Sequence, residues 1–254
     1  MISQPKPEDL PKDRAGFSLR GLEVTRLDTF IDAAFAFALT LLVISFDTLP
    51  GNIEELLSAL KGTPGFAASF AQIMLFWVAH RTWSRRFGLE DTPAVLISLL
   101  FIFLIMVFVY PLRMMFGGLF HWISNGWLTT GFEIGSYDDL RALFIIFGLG
   151  FMVMCGLVAA LNRHACRQAH RLRLSPEEIF LTRAEYGAWL ILTSCGAVSA
   201  LLAGVLPDRL VMYASFIYWF LVIIMPMYGV RLNRQRKKKF GLPEFVDTRQ
   251  APDQ

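Results

Sequence analysis

The stretch from Arg26 to Phe46, RLDTFIDAAFAFALTLLVISF, decides the fold. After Asp32 it carries no charge until Asp47, and with its flanks this apolar run is long enough to cross a hydrocarbon layer of ~30 Å. An aspartate inside the start of such a span is energetically costly, so Asp32 is expected to have a partner or a function. The stretch predicts a transmembrane helix over about residues 28–49.

The composition extends this prediction to the whole chain. Of 254 residues, 55% are hydrophobic and only 18% are charged, and the mean hydropathy is +0.49. These values are too apolar for a soluble domain of this size and indicate a polytopic membrane protein. Apolar runs predict five further spans, at about 64–84, 93–115, 140–162, 183–206 and 209–230. The expected fold is an all-α membrane protein with six transmembrane helices per chain.

The segments between the predicted spans have their own signals. Residues 53–60 have apolar positions at helical spacing and suggest a short helix on the membrane surface. The link 116–139 contains Trp122, Trp127 and Tyr137, as interfacial segments do. Ser175, Pro176 and Glu178 predict a capped helix start. The expected division is a flexible N-terminal segment at 1–24, a membrane domain at 25–232 and a basic tail at 233–254.

Charge distribution predicts the orientation. Arginine and lysine are concentrated before span one, between spans two and three, between spans four and five, and after span six, while the alternate loops are mostly acidic. By the positive-inside rule, both termini are expected in the cytoplasm. The run RQRKKK, residues 234–239, is then a topological anchor. Nucleic-acid binding is not expected, because aromatic interleaving and a folded soluble domain are both missing from the sequence.

No enzyme motif is convincing. His164, Cys166 and His170 form H-x-C-x3-H in a basic loop, but three ligands beside several arginines are a poor zinc site. Neither a glycine-rich phosphate loop nor a G-x-S-x-G or H-E-x-x-H motif occurs. The sequence therefore predicts neither catalysis nor a bound metal or cofactor.

In the first predicted helix, residues that are seven positions apart lie on one face, and residues three or four positions away lie beside them. The face reads Arg26, Phe30, Ala33, Phe37, Thr40, Leu41 and Ile44. Asp32 lies roughly 140° from Phe37 around the helix axis. Two interpretations stay open at this point. The helix packs in a bundle through the small residues Ala34 and Ala38, or it turns one face to a pore and Asp32 towards neighbouring helices.

The second predicted span offers a neighbour for Asp32. Ser69, Trp77 and His80 share one side of that helix, because 69 to 80 is close to three full turns. In an antiparallel pair, Asp32 and His80 would lie at the same depth. A hydrogen bond to histidine or tryptophan would offset the desolvation of the carboxylate. The alternative is that the polar groups reach the membrane surface separately.

These residues resemble a known family. Arg26, Phe30 and Asp32 are similar to the R-x-x-x-F-S-D signature of the transmembrane protein 175 family of potassium channels, and FAFALTLL continues the similarity. Ser69-Phe70, Trp77 and His80 resemble that family's second-helix pattern. Two positions depart from it: Ile31 replaces serine, and Phe37 replaces the usual isoleucine or leucine at the constriction.

The resemblance implies a homotetramer in a bacterial inner membrane, contacting lipid, with the first helix of each chain lining a central pore for potassium. The pore residues would be Phe37, Thr40, Leu41 and Ile44. A structural network would comprise Arg26, Phe30, Asp32, Ser69, Trp77 and His80. Because no T-V-G-Y-G filter occurs, apolar rings would gate and select ions. The alternative function is a non-conducting interaction or sensor protein with the same fold, and a membrane-embedded enzyme is the third class.

Overall fold

The structure is a computed structural model that describes residues 10–13, 15–44, 51–130, 132 and 134–241. Helices dominate the described chain, and its only β-type pairing is an isolated bridge between Lys12 and Ser18. In order, the helices are α1 (Arg26–Ile44), α2 (Ile53–Lys61), α3 (Thr63–Phe87), α4 (Thr92–Ile123), α5 (Tyr137–Arg167), α6 (Pro176–Val205), a 3-10 helix (Asp208–Phe220) and α7 (Leu221–Phe240).

Several helices begin at residues that satisfy their free N–H groups. Asp91 accepts a hydrogen bond from the backbone of Ala94 at the start of α4, and Ser136 caps α5. At α6, Ser175 and Glu178 form a reciprocal capping box, so the predicted helix start is confirmed. The short helix expected over 53–60 is also present as α2, which has no buried residue and exposes its apolar side chains.

The number of spans is lower than predicted when only the described chain is counted. α4, α5, α6 and the continuous stretch Asp208–Phe240 are long and apolar enough to cross a membrane. α2 and α3, bent by 45° at their junction, make a fifth when taken together. α1 is not in this set, and its described part is 19 residues long with Asp28 and Asp32 near its start. The chain is therefore a helical protein with four to five candidate spans, and six stays a prediction.

The link predicted over residues 116–139 is shorter in the structure. α4 continues to Ile123 through Gly117, and α5 already begins at Tyr137. A Cβ added at Gly65 of α3 would lie 3.1 Å from Gly117 Cα, so the two helices cross at closely approaching glycines. Gly117 thus allows α3 and α4 to pack closely. Trp122 and Trp127 are exposed at this end of the bundle.

The core contains the inner face of α1. Its buried members on α1 are Ile31, Ala34, Phe35, Ala38 and Leu42. They pack in one cluster with residues of α3, α4 and α5 that include Phe76, Phe101, Ile105 and Phe151. The backbone of α1 closely approaches α3 and α4, and no other described helix.

α5 and α6 pack closely through glycines. A Cβ at Gly148 would lie 2.9 Å from the carbonyl oxygen of Gly196, and a Cβ at Gly196 would lie 2.7 Å from the nitrogen of Met152. The 3-10 helix follows α6 and is joined to α5 by an ion pair of 2.7 Å between Arg141 and Asp208. Arg141 also donates to the carbonyl oxygen of Leu206 at 2.9 Å. This end of α6 is therefore fixed to the start of α5.

The segment before α1 differs from the flexible chain that its composition suggests. Its described residues, 10–13 and 15–25, are here called the strap. Phe17 of the strap is completely buried against Trp83 and Phe87 of α3 and Leu161 of α5. Residues 1–9 and 242–254, parts of the expected N-terminal segment and basic tail, lie outside the described residues. The described start of that tail, from residue 233, continues α7 as a helix to Phe240.

Candidate pore-lining site

The first turn of α1 is held by a set of hydrogen bonds around Asp28. Thr25 Oγ1 donates to Asp28 Oδ2 at 3.0 Å, and the backbone N–H of Asp28 donates to Thr25 Oγ1 at 3.1 Å. From α3, Ser84 Oγ donates to Asp28 Oδ1 at 2.6 Å. Neither Thr25 nor Ser84 was predicted from the sequence, although T-x-x-D before an apolar run is a recognisable capping signal. This contact fixes the start of α1 to the end of α3.

Asp32 is hydrogen-bonded to α3 one turn further along. Trp77 Nε1 donates to Asp32 Oδ1 at 2.7 Å, and the guanidinium carbon of Arg81 lies 5.1 Å from the centre of the Trp77 ring. Of the two partners that the sequence offered to Asp32, the structure brings Trp77 to it. The carboxylate is nevertheless exposed in the single chain.

His80 faces the core instead of Asp32. Its Nε2 forms a hydrogen bond of 2.9 Å with Ser98 Oγ of α4, and its ring stacks on Phe101 with centroids 5.9 Å apart. Both His80 and Ser98 are buried. His80 therefore joins α3 to α4, a contact that the sequence analysis missed. Ser98, a single serine in the apolar sequence of α4, could have indicated this contact, because a buried hydroxyl needs a hydrogen-bond partner.

The remaining members of the expected network are separate from Asp32. Ser69 is fully buried, and its hydroxyl donates to the carbonyl oxygen of Gly65 in its own helix at 2.9 Å. Arg26 is exposed and makes no ion pair within the part of the chain that the structure describes. Phe30 lies on the exposed side of α1. The structure thus brings together Asp32 and Trp77, but not all six predicted residues.

The two sides of α1 have very different surroundings. Phe35 is 2% exposed in the core, whereas Phe37 is 52% and Phe30 is 56% exposed. Ala33 and Thr40 are exposed on the same side as Phe37, and the Thr40 hydroxyl donates to the carbonyl oxygen of Ala36 at 3.0 Å. α1 therefore carries an apolar face, with one hydroxyl, that the described part of its own chain leaves uncovered.

Two predicted pore residues are not placed fully on that face. Leu41 is half-buried and packs against the core at the edge of the exposed side. Ile44 is the last residue of α1, and its side chain lies outside the described residues. The exposed face of α1, as the structure describes it, comprises Phe30, Ala33, Ala36, Phe37, Thr40 and Val43.

Comparison with known proteins identifies the family. The profile described as "Endosomal/lysosomal potassium channel TMEM175" matches residues 26–111, which include α1, α3 and the first part of α4. A protein named "Potassium channel" from Marivirga tractuosa is 30% identical over 233 residues, covering 88% of this chain and 93% of its own length. The chain belongs to the TMEM175 family.

A solved TMEM175 structure agrees with this assignment. The crystal structure of a threonine-to-alanine variant of the potassium channel MtTMEM175, in complex with a nanobody–MBP fusion, is 29% identical to this chain. It superposes with a TM-score of 0.76, covering 90% of this chain and all of that one. The TMEM175 family and these relatives are ion channels, not enzymes, and the resemblance stated from the sequence is confirmed.

Proposed function

We propose that this TMEM175 protein is a potassium-preferring cation channel and that four copies of α1 line its pore. The observation that carries the proposal is the uncovered apolar face of α1, with Phe37 half-exposed although α1 is otherwise part of the core. In a membrane protein an exposed apolar face contacts either lipid or another chain, and the match of α1 to the TMEM175 profile supports another chain at this face. Symmetry-related copies of the same helix are the simplest partner in a homo-oligomer.

The proposed gate is the layer formed by Phe37. Four phenylalanines that converge on one axis would exclude water, so an ion would have to shed part of its hydration to pass. Thr40 lies one turn further along, and a ring of its hydroxyls offers oxygen atoms to a partly hydrated cation. Leu41 and Ile44 would form the next apolar layers. Asp32 and Trp77 would hold α1 in register with α3, outside the ion path.

The proposed location is a bacterial inner membrane with both termini in the cytoplasm. Support comes from the way the basic segments meet at one end of the bundle. Arg86 at the end of α3, Arg20 of the strap and Arg236 of α7 all make ion pairs around the start of α6. The positive-inside rule assigns this end to the cytoplasm.

Flux measurements on the purified protein test the proposal. Proteoliposomes loaded with potassium or with sodium would be compared at matched protein density. We expect cation flux that is larger for potassium. A folded tetramer that passes neither cation would instead support the non-conducting interaction or sensor protein.

The oligomeric state is the second test. Native mass spectrometry in nanodiscs is expected to give a tetramer, because the uncovered face of α1 needs three further copies in this arrangement. A stable monomer would leave that face to lipid and would remove the pore.

A further inference from the structure

The strap packs between α3 and the start of α6. The Phe17 ring meets the Phe87 ring edge-on with centroids 5.4 Å apart, and the guanidinium carbon of Arg86 lies 4.9 Å from the centre of the Phe17 ring. Arg86 also donates to Asp13 Oδ2 of the strap at 2.8 Å and pairs with Glu185 of α6. One buried arginine of α3 therefore holds both the strap and α6.

A second arginine fastens the strap to the first turn of α6. Arg20 donates two parallel hydrogen bonds of 3.0 Å to the two carboxylate oxygens of Glu178. The backbone N–H of Ser18 donates to the same carboxylate at 2.9 Å, and Arg20 Nε donates to the carbonyl oxygen of Leu172. The Arg20 and Glu178 side chains are only 10% and 5% exposed. Such a shielded bidentate pair is much stronger than a surface ion pair.

The end of α7 joins the same assembly. Arg236 donates to Glu177 Oε1 at 2.8 Å and to the carbonyl oxygen of Ala15 in the strap at 3.0 Å. The strap therefore contacts α3, the residues before α6, α6 itself and α7.

The strap continues directly into α1. Gly21 N donates to the carbonyl oxygen of Arg85 at 3.0 Å, and a Cβ at Gly21 would lie 2.5 Å from the carbonyl oxygen of Ser84. Four residues later, Thr25 caps α1. Among the described helices, the α1 backbone closely approaches only α3 and α4. The strap, which continues into α1, therefore connects α1 directly to the start of α6 and to the end of α7.

We propose that Arg20 and Arg86 are positioning residues for conduction. They make the first turn of α1 follow the first turn of α6, so that displacement of α6 or α7 is passed through the strap to the helix that lines the pore. This role rests on the proposed function only in its last step, from α1 to the ion path. A pore closed by apolar rings is sensitive to the placement of α1, because small changes in width decide whether water stays in the constriction.

The test weakens the Arg20–Glu178 pair without removing either side chain. Glu178→Gln and Arg20→Lys each disturb the bidentate contact while keeping a side chain of similar length. Glu185→Gln weakens the more exposed Arg86 pair and is the milder variant in case the first two fold poorly. The matched control is Asp138→Asn, which neutralises an exposed carboxylate at the start of α5, at the opposite end of the bundle.

Two measurements are made on each variant in nanodiscs or proteoliposomes. Hydrogen exchange reports the opening of the strap and of the first turn of α1, and flux reports conduction for potassium and sodium. We expect faster exchange in residues 15–30 and a change of about fivefold or more in flux, typical of a coupling between sites. The control should change neither measurement.

Faster exchange confined to the strap, with the first turn of α1 and the flux unchanged, overturns the proposal. If the wild-type protein conducts no cation, the proposed function fails, and the exchange measurement alone still decides whether α1 follows α6.

Discussion

Trp77 of α3 donates a hydrogen bond of 2.7 Å from its indole nitrogen to the Asp32 carboxylate of α1. The bond lies on the exposed flank of α1, because Asp32 follows Phe30 by two residues and directly precedes Ala33. It joins α1 to α3 between the buried side of α1, which carries Phe35, and the exposed side, which carries Phe37.

Removing that bond should destabilise the protein modestly. Trp77→Phe removes a hydrogen bond to a charged group, and such a loss lowers the free energy of unfolding by about 1–3 kcal/mol. Because Asp32 is exposed, we expect a value at the lower end of that range. Thermal melting of Trp77→Phe, Asp32→Asn and the double variant gives the coupling between them. Trp83→Phe is the matched control, because the buried indole nitrogen of Trp83 has no hydrogen-bond partner among the residues that the structure describes. Additive effects of the two variants would contradict the bond.

Phe37 and Phe35 provide a comparison within a single helix. Phe35→Ala removes a buried ring and should cost about 3–5 kcal/mol of stability. Phe37→Ala should cost much less, raise cation flux and reduce discrimination between potassium and sodium, because a wider layer lets water remain. Liposome flux and melting temperature are measured together for both variants. A destabilised Phe37→Ala protein with unchanged flux would show that Phe37 packs in a core formed with another chain.

His80 should matter for folding and not for ion choice. Ser98→Ala leaves the buried imidazole without its partner, and we expect a loss of about 1–3 kcal/mol in thermal or denaturant unfolding. The potassium-to-sodium flux ratio should be that of the wild-type protein. Ser194→Ala is the control, because the exposed Ser194 hydroxyl bonds only to its own helix. A shifted flux ratio in Ser98→Ala would connect the His80 contact with the ion path.

Orientation can be tested with two single cysteines in a background without the three native ones. Lys239→Cys lies at the end of α7, and Asn125→Cys lies in the turn after α4 at the opposite end of the bundle. In intact spheroplasts, a membrane-impermeant maleimide is expected to label Asn125→Cys only. Labelling of Lys239→Cys from outside would reverse the predicted topology.

Local patterns predicted the parts of the fold that depend on neighbours in sequence. The α2 helix, the Ser175–Glu178 capping box and the exposed side of α1 all follow from spacing within one or two turns. The pairing of Asp32 with Trp77 was foreseen as one of two choices. Periodicity alone could not choose between Trp77 and His80, because both lie on the side of α3 that faces its neighbours.

Contacts between distant residues were beyond such patterns. Ser18 and Arg20 are hydrogen-bonded to Glu178, which follows them by about 160 positions. The sequence around Ser18 and Arg20 does not predict this partner. Proline and charge around Phe17 suggested a flexible segment, yet the single aromatic ring is completely buried. The charges that made the segment look solvated are those that hold it to α3, α6 and α7.

The 3-10 helix sets the lengthwise register of the last span. A 3-10 helix rises about 2.0 Å per residue against 1.5 Å in an α-helix, so the 13 residues of Asp208–Phe220 reach about 6 Å further than they would in an α-helix. Asp208 is bonded to Arg141 at one end of α6, and Tyr228 and Arg236 are bonded to Ala184 and Glu177 towards the other. With an α-helix in place of these turns, α7 would be drawn back by more than one turn. Tyr228 and Arg236 would then no longer reach Ala184 and Glu177. The longer rise of the 3-10 helix therefore allows the segment Asp208–Phe240 to form hydrogen bonds at both ends of α6.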